Sequence, residues 1–136
     1  DIFPVLTPLA IDPGHPFPRL LNKSLNLAVV LRRPRSPEAL FAVVQVPSVL
    51  KRFLPLPAEN GFIFTPLESA IRLHLSDLFP GMEIDSVSVF RVTRDSEYEL
   101  DDEGLEDLMK AIEESVRKRK LGDAVRLEIE ADTPNE

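Results

Sequence analysis

Residues 65–94 read TPLESAIRLHLSDLFPGMEIDSVSVFRVTR, and two periodicities meet in this stretch. Leu67, Ile71, Leu75 and Leu78 recur every three to four positions, which is the spacing of one buried stripe on an α-helix. Thr65 stands where an N-cap is expected, Pro66 at the first helical position and Glu68 where a capping box would close. Pro80-Gly81 stops the helix near Phe79. From Glu83 to Arg94 the pattern becomes that of a long strand. Val87 and Val89 share one face, then Phe90 and Val92 share the other, and a bulge near Val89–Phe90 would absorb that change of phase. A helix handed straight to a long strand predicts an α+β arrangement, the helix packing back on a sheet.

Upstream, Leu25 to Arg32 reads as a strand with apolar residues on both faces, as a strand in the middle of a covered sheet requires. Leu40 to Val46 is a second strand, and the segment RPRSPEA between them predicts a hairpin. Val49 to Phe53 reads as one helical turn, LPLPAENG as a loop, and Phe62 to Phe64 as a short strand. The first 21 residues carry Pro4, Pro8, Pro13, Pro16 and Pro18, which hold the chain extended. That arm also carries Ile2, Phe3, Val5, Leu6, Leu9, Ile11 and Phe17, so it is expected to lie against a surface, with a turn at Asp12-Pro13-Gly14-His15.

Downstream, Leu105, Leu108, Met109, Ile112 and Val116 repeat at helical spacing, predicting a second helix over Asp101–Lys120. Acids crowd its start and the run Arg117-Lys118-Arg119-Lys120 its end, which complements the helix dipole. Val125, Leu127 and Ile129 alternate with Arg126, Glu128 and Glu130, predicting a last strand with one wet face. The expected fold class is therefore α+β: a mixed, largely antiparallel β-sheet with two α-helices packed on it, residues 1–136 forming one domain.

Composition narrows the function classes. At 136 residues with 43% apolar side chains, the chain can bury a core without staples. It has no cysteine, so disulfides and thiolate metal sites are excluded, and a reducing, cytoplasmic setting is expected. No apolar run approaches the roughly 20 residues of a membrane span, and the chain reads as soluble. A net charge of −7 argues against a general nucleic-acid binder. The first residue is aspartate and the opening already looks like the interior of a protein, so the chain is expected to be a piece of a longer enzyme.

No glycine-rich phosphate loop and no nucleophile motif is present. The two histidines, His15 in the proline turn and His74 beside the apolar helix stripe, are read as structural: His15 locking its turn, His74 satisfied at the edge of the core. Arg32, Arg33 and Arg35 read as solvated. Arg19, Arg91 and Arg94 are the candidate contacts for a polyanion, since a guanidinium matches phosphate oxygens two at a time. Local acids offer the competing role, a salt bridge, and strand parity puts Arg91 and Arg94 on opposite faces. No pair of carboxylates suggests acid–base catalysis.

Four blocks of this sequence resemble one family. LTPLAIDPGHPFPRLLNKSLNLAVVL (Leu6 to Leu31), PLESAIRLHLSDLFPGMEI (Pro66 to Ile84), FRVTRDSEYELDDE (Phe90 to Glu103) and KRKLGDAVRLEIE (Lys118 to Glu130) resemble, in order, the middle (head) domain of polyphosphate kinase. The resemblance implies a multidomain enzyme that moves the terminal phosphoryl group of ATP onto inorganic polyphosphate, with ATP and magnesium bound by other domains. It also implies a fold similar to the phosphohistidine phosphatases and a place near subunit contacts and the polymer's tunnel. The enzyme is expected to be a homo-oligomer, possessing no membrane span but able to associate with a membrane. In that family the domain continues beyond the last strand, so truncation at the C-terminal end is expected here. None of the family's catalytic residues falls on a position of this chain. The expected role is therefore structural, supporting domain and subunit packing, with inorganic polyphosphate as a candidate ligand. The competing readings are a small phosphohistidine phosphatase-like hydrolase using His15 or His74, and a polyphosphate-binding module using the arginines.

Overall fold

Strand β2, Leu25–Arg32, forms the centre of the fold. Its sequence LNLAVVLR is apolar in both phases, and both faces of the strand are covered. The structure, a computed structural model, describes residues 5–12, 14, 17–95 and 123–134. Around β2 lie β1 (Pro8–Ile11), β3 (Ala39–Gln45), β6 (Glu83–Arg94) and β7 (Ala124–Ile129) in the order β1-β3-β2-β6-β7. A second, two-stranded sheet pairs β4 (Phe53–Leu56) with β5 (Ile63–Pro66). Helices α1 (Leu67–Leu73) and α2 (Leu75–Leu78) come between β5 and β6 along the chain. Every pairing among the described residues is antiparallel, giving an α+β fold with an antiparallel sheet.

One face of the sheet carries the main core. Leu27, Val29 and Leu31 of β2 and Ala42 and Val44 of β3 meet Leu67, Ile71 and Leu75 from the helices. Three of the four expected stripe residues are fully buried, and Leu78 packs partly against them. The opposite face carries a smaller cluster, Val43, Phe90 and Val92 with Leu20 of the arm. The proline arm thus does lie against a surface: its β1 pairs with β3, and Leu20 is buried. Pro8 sits on the sheet's edge strand, where a missing amide costs no ladder bond. Asp12 Oδ1 accepts from the Gly14 amide at 2.8 Å. Pro13, His15 and Pro16 lie outside the described residues, as does the helix expected over Asp101–Lys120.

Several local expectations are corrected. Val49–Phe53 is not a helical turn: the chain makes a tight turn in which the Leu50 amide reaches the Pro47 carbonyl at 3.4 Å, and Phe53 already begins β4. Thr65 does not cap α1. The N-cap is Pro66, with no side-chain cap bond, while Glu68 turns to Arg52 and the Leu67 amide bonds the Arg52 carbonyl at 2.6 Å. The helix breaks at His74, where the backbone leaves helical values, and restarts as α2. No bulge lies at Val89–Phe90 either. Val87 and Val89 face the main core while Phe90 faces the second cluster, so simple alternation across a sheet buried on both sides explains the pattern. The register instead shifts where Ser86 pairs with Val30 and Ile84 with Leu31, leaving Asp85 as the extra residue. Asp85 uses that position to take a two-bond ion pair from Arg32.

Candidate functional site

Helix α1 lies over the end of the sheet where β6 and β7 pair, and the gap between them is lined by paired charges. Arg91 of β6 stands opposite Glu128 of β7 in register and donates to it from Nε at 2.9 Å and Nη2 at 3.1 Å. Arg72 of α1 reaches Glu130, just past β7, and the same carboxylate accepts from the Val89 amide at 3.2 Å. Arg52, one residue before β4, donates to Glu68 of α1 at 2.8 Å. With Ser69 between them, these three ion pairs line a cleft of about 420 Å³.

The pairing shows in the acid strengths. Glu128 is held below the ordinary carboxylate value first by its hydrogen bond from Arg91; desolvation opposes this, and the charges of Arg126 and Arg91 add to it. Glu130 is lowered first by the bond from Arg72, then by the Val89 amide, again against desolvation. Arg91 is correspondingly raised by Glu128. Two polar atoms of the cleft, Arg72 Nε and Glu68 Oε2, are buried without a hydrogen-bond partner. Chemically the cleft offers three guanidinium groups whose charge is offset locally by three carboxylates. An incoming anion would have to displace a carboxylate or use the guanidinium N–H groups left over, of which each arginine has five in all.

The three arginines singled out in the sequence do not converge. Arg91 faces this cleft. Arg94, at the end of β6, sends its Nε to the Leu20 carbonyl at 3.0 Å on the other side, and its amide donates to Asn22 Oδ1 at 2.7 Å. Arg19 is exposed and next in chain to Leu20, whose carbonyl Arg94 holds, and it does not line the cleft of Arg91. The competing role for Arg91, a salt bridge to a local acid, is the one it occupies. Arg52 and Arg72 are cleft residues that sequence reasoning missed. The one available signal, Glu68 and Arg72 four apart on a helix, points to a pair with each other, whereas each has a partner elsewhere in the chain.

His74 is a further correction. Its side chain is 67% exposed, with Nδ1 3.5 Å from Asp77 Oδ2, so it sits on the surface rather than at the core edge. Among the described residues no group of three or more histidines and carboxylates is placed to hold a metal ion, and no helix is long and apolar enough to cross a membrane.

Comparison with known proteins follows the same direction. The sequence profile of the polyphosphate kinase middle domain matches residues 1–136. A polyphosphate kinase of Aphanizomenon baltica is 54% identical over 98% of this chain and 37% of its own length. The polyphosphate kinase of Synechocystis is 50% identical over 98% of this chain and 20% of its own. The chain thus spans about a fifth to just over a third of these relatives. The crystal structure of polyphosphate kinase from Porphyromonas gingivalis superposes with a TM-score of 0.66 at 30% identity, covering 74% of this chain and 16% of that one. The chain belongs to the polyphosphate kinase family, whose middle-domain profile matches it over residues 1–136.

Proposed function

We propose that this chain is a packing and interaction domain of an enzyme that transfers the terminal phosphoryl group of ATP to inorganic polyphosphate, with the reacting groups in other domains. ATP and magnesium belong to those other domains. Residues 1–136 are one domain that continues past Glu136 in the complete enzyme, which acts in the cytoplasm as a homo-oligomer and can associate with a membrane. The mechanism is placement: a rigid antiparallel sheet holds neighbouring domains and a neighbouring subunit around the polymer's path. The observation that supports this reading most is the bulky apolar surface left in contact with solvent on the β4–β5 ribbon, including Phe53, Phe62 and Phe64. Such surface marks interaction sites in soluble proteins. ATP hydrolysis and polymer synthesis by the chain alone should both be nil. Turnover by the purified chain, abolished by substitution within it, overturns the reading.

A second role is supported by the cleft. Arg91, and on the opposite side Arg19 and Arg94, are proposed contacts for the phosphate groups of the polymer, with Arg52 and Arg72 extending the set around Arg91. Long-chain polyphosphate should bind at low salt and release steeply as salt is added, because each neutralised phosphate frees a counterion. No binding at low ionic strength ends this role.

A further inference from the structure

The ribbon of β4 and β5 is built unlike the rest of the domain. It forms its own two-stranded sheet, with Phe53 opposite Pro66 and Leu56 opposite Ile63. Its base is anchored: Leu54 packs on the main core, and the Leu67 amide bonds the Arg52 carbonyl. Beyond that base both faces are apolar and exposed. Phe53, Pro55 and Phe64 alternate onto one face, and Leu56 and Ile63 onto the other. Phe62, at the loop end, is 91% exposed. A lone two-stranded ribbon is marginal in water, and one showing large apolar side chains on both sides needs enclosure rather than a flat partner.

We propose that this ribbon is an insertion arm, its apolar end held in a groove of another domain of the same polypeptide. The inference rests on the packing reading above and names the surface that carries it. One observation favours a tethered domain over a second copy of this chain: the relatives at about half identity are several times longer than this chain, so most of the polypeptide is available as a covalently linked partner, at the high effective concentration a linker confers.

The test uses the complete polyphosphate kinase carrying Phe62→4-benzoylphenylalanine, assembled from a mixture of ordinary and ¹⁵N-labelled subunits and irradiated. The expected product joins position 62 to a peptide outside residues 1–136, with both halves carrying the same isotope. A product of mixed isotope assigns the arm to a neighbouring subunit and overturns the proposal, as does attachment within residues 1–136 or no attachment at all. The double variant Phe62→Asp, Phe64→Asp of the complete enzyme provides a second readout. Limited proteolysis should then cut the loop at residues 57–61 at least tenfold faster than in the parent enzyme, and an unchanged rate also overturns the proposal. These outcomes leave the packing reading standing, since that reading fails instead by ATP turnover of the chain alone.

Discussion

Arg91 and Glu128 face each other across β6 and β7 and Arg91 donates two hydrogen bonds to the carboxylate, so the guanidinium proposed to meet a phosphate already holds an anion. A polyanion at this position competes with Glu128. Glu128→Gln removes the competing charge and keeps the shape. It should tighten binding of long-chain polyphosphate several-fold at low salt, while Arg91→Ala should weaken it and flatten its dependence on salt. Fluorescence anisotropy of labelled polymer against salt concentration measures both. Equal affinity in all three proteins removes Arg91 from the contact set.

Glu130 links acid strength to stability. Its carboxyl is held below the ordinary value of 4.5 by Arg72 and the Val89 amide. A carboxyl depressed in the folded state contributes stability that is fully present above its unfolded value and is lost as pH falls through the folded one. Glu128 acts in the same direction. The urea midpoint should therefore be flat from pH 7 to about 5 and decline below about 4.5. In Glu130→Gln the decline should be shallower and the midpoint at pH 7 lower. Because both partners are more than a third exposed, the difference at pH 7 should be small. A variant whose pH profile parallels that of the parent sinks this assignment.

The long strands were legible because their patterns are strong and buried. Leu25–Arg32 and Glu83–Arg94 begin and end where periodicity places them. Strand β4 was not, because Pro55 and Pro57 make LPLPAENG read as a loop. Proline is tolerated there because β4 pairs on one side only. The break at His74 has no proline or glycine within five residues before it to announce it. In β6, apolar residues in both phases look like a slip when one face is assumed wet, whereas a sheet buried on both sides needs them. The cleft was legible only at Arg91. Arg72 and Glu130 lie 58 positions apart, and Arg52 and Glu68 16 apart, so only the folded chain brings them together.

The helix pair is fastened to the sheet by three leucine or isoleucine side chains, and Leu67 is the most directly testable. It is fully buried among Leu27, Val29 and Val44. Leu67→Ala removes apolar contact and leaves a cavity that a rigid sheet cannot close, at a cost of about 2–5 kcal/mol. Leu73, next to the helix break and mostly exposed, provides the comparison: Leu73→Ala should change stability by less than about 0.5 kcal/mol. Urea denaturation of the two variants side by side decides the matter. Similar losses would mean that the helices do not pack on the sheet through this face.

Asn26 is the one fully buried amide side chain in β2, and its role is to hold the turn that launches that strand. Its Nδ2 donates to the Ser24 carbonyl at 2.9 Å and to Ser24 Oγ at 3.2 Å, while Oδ1 has no partner. Ser24 in turn bonds back to the Leu21 carbonyl through both its amide and its hydroxyl, closing a turn in which Lys23 takes a φ of 59°. Asn26→Asp replaces the donor with a second acceptor facing a carbonyl oxygen and buries a charge without a partner. At pH 7 this should cost about 3 kcal/mol or more. Burial raises the new carboxyl's folded-state value, so the penalty is present above its unfolded value near 4 and shrinks as pH falls toward it. A neutral carboxyl can again donate to Ser24. Asn26→Leu leaves the Ser24 carbonyl short of a donor at every pH and should cost about 1–3 kcal/mol with no such recovery. Urea midpoints at pH 7 and pH 4.5 separate the two variants, and a penalty for Asn26→Asp that does not shrink at the lower pH rules out the buried-donor role.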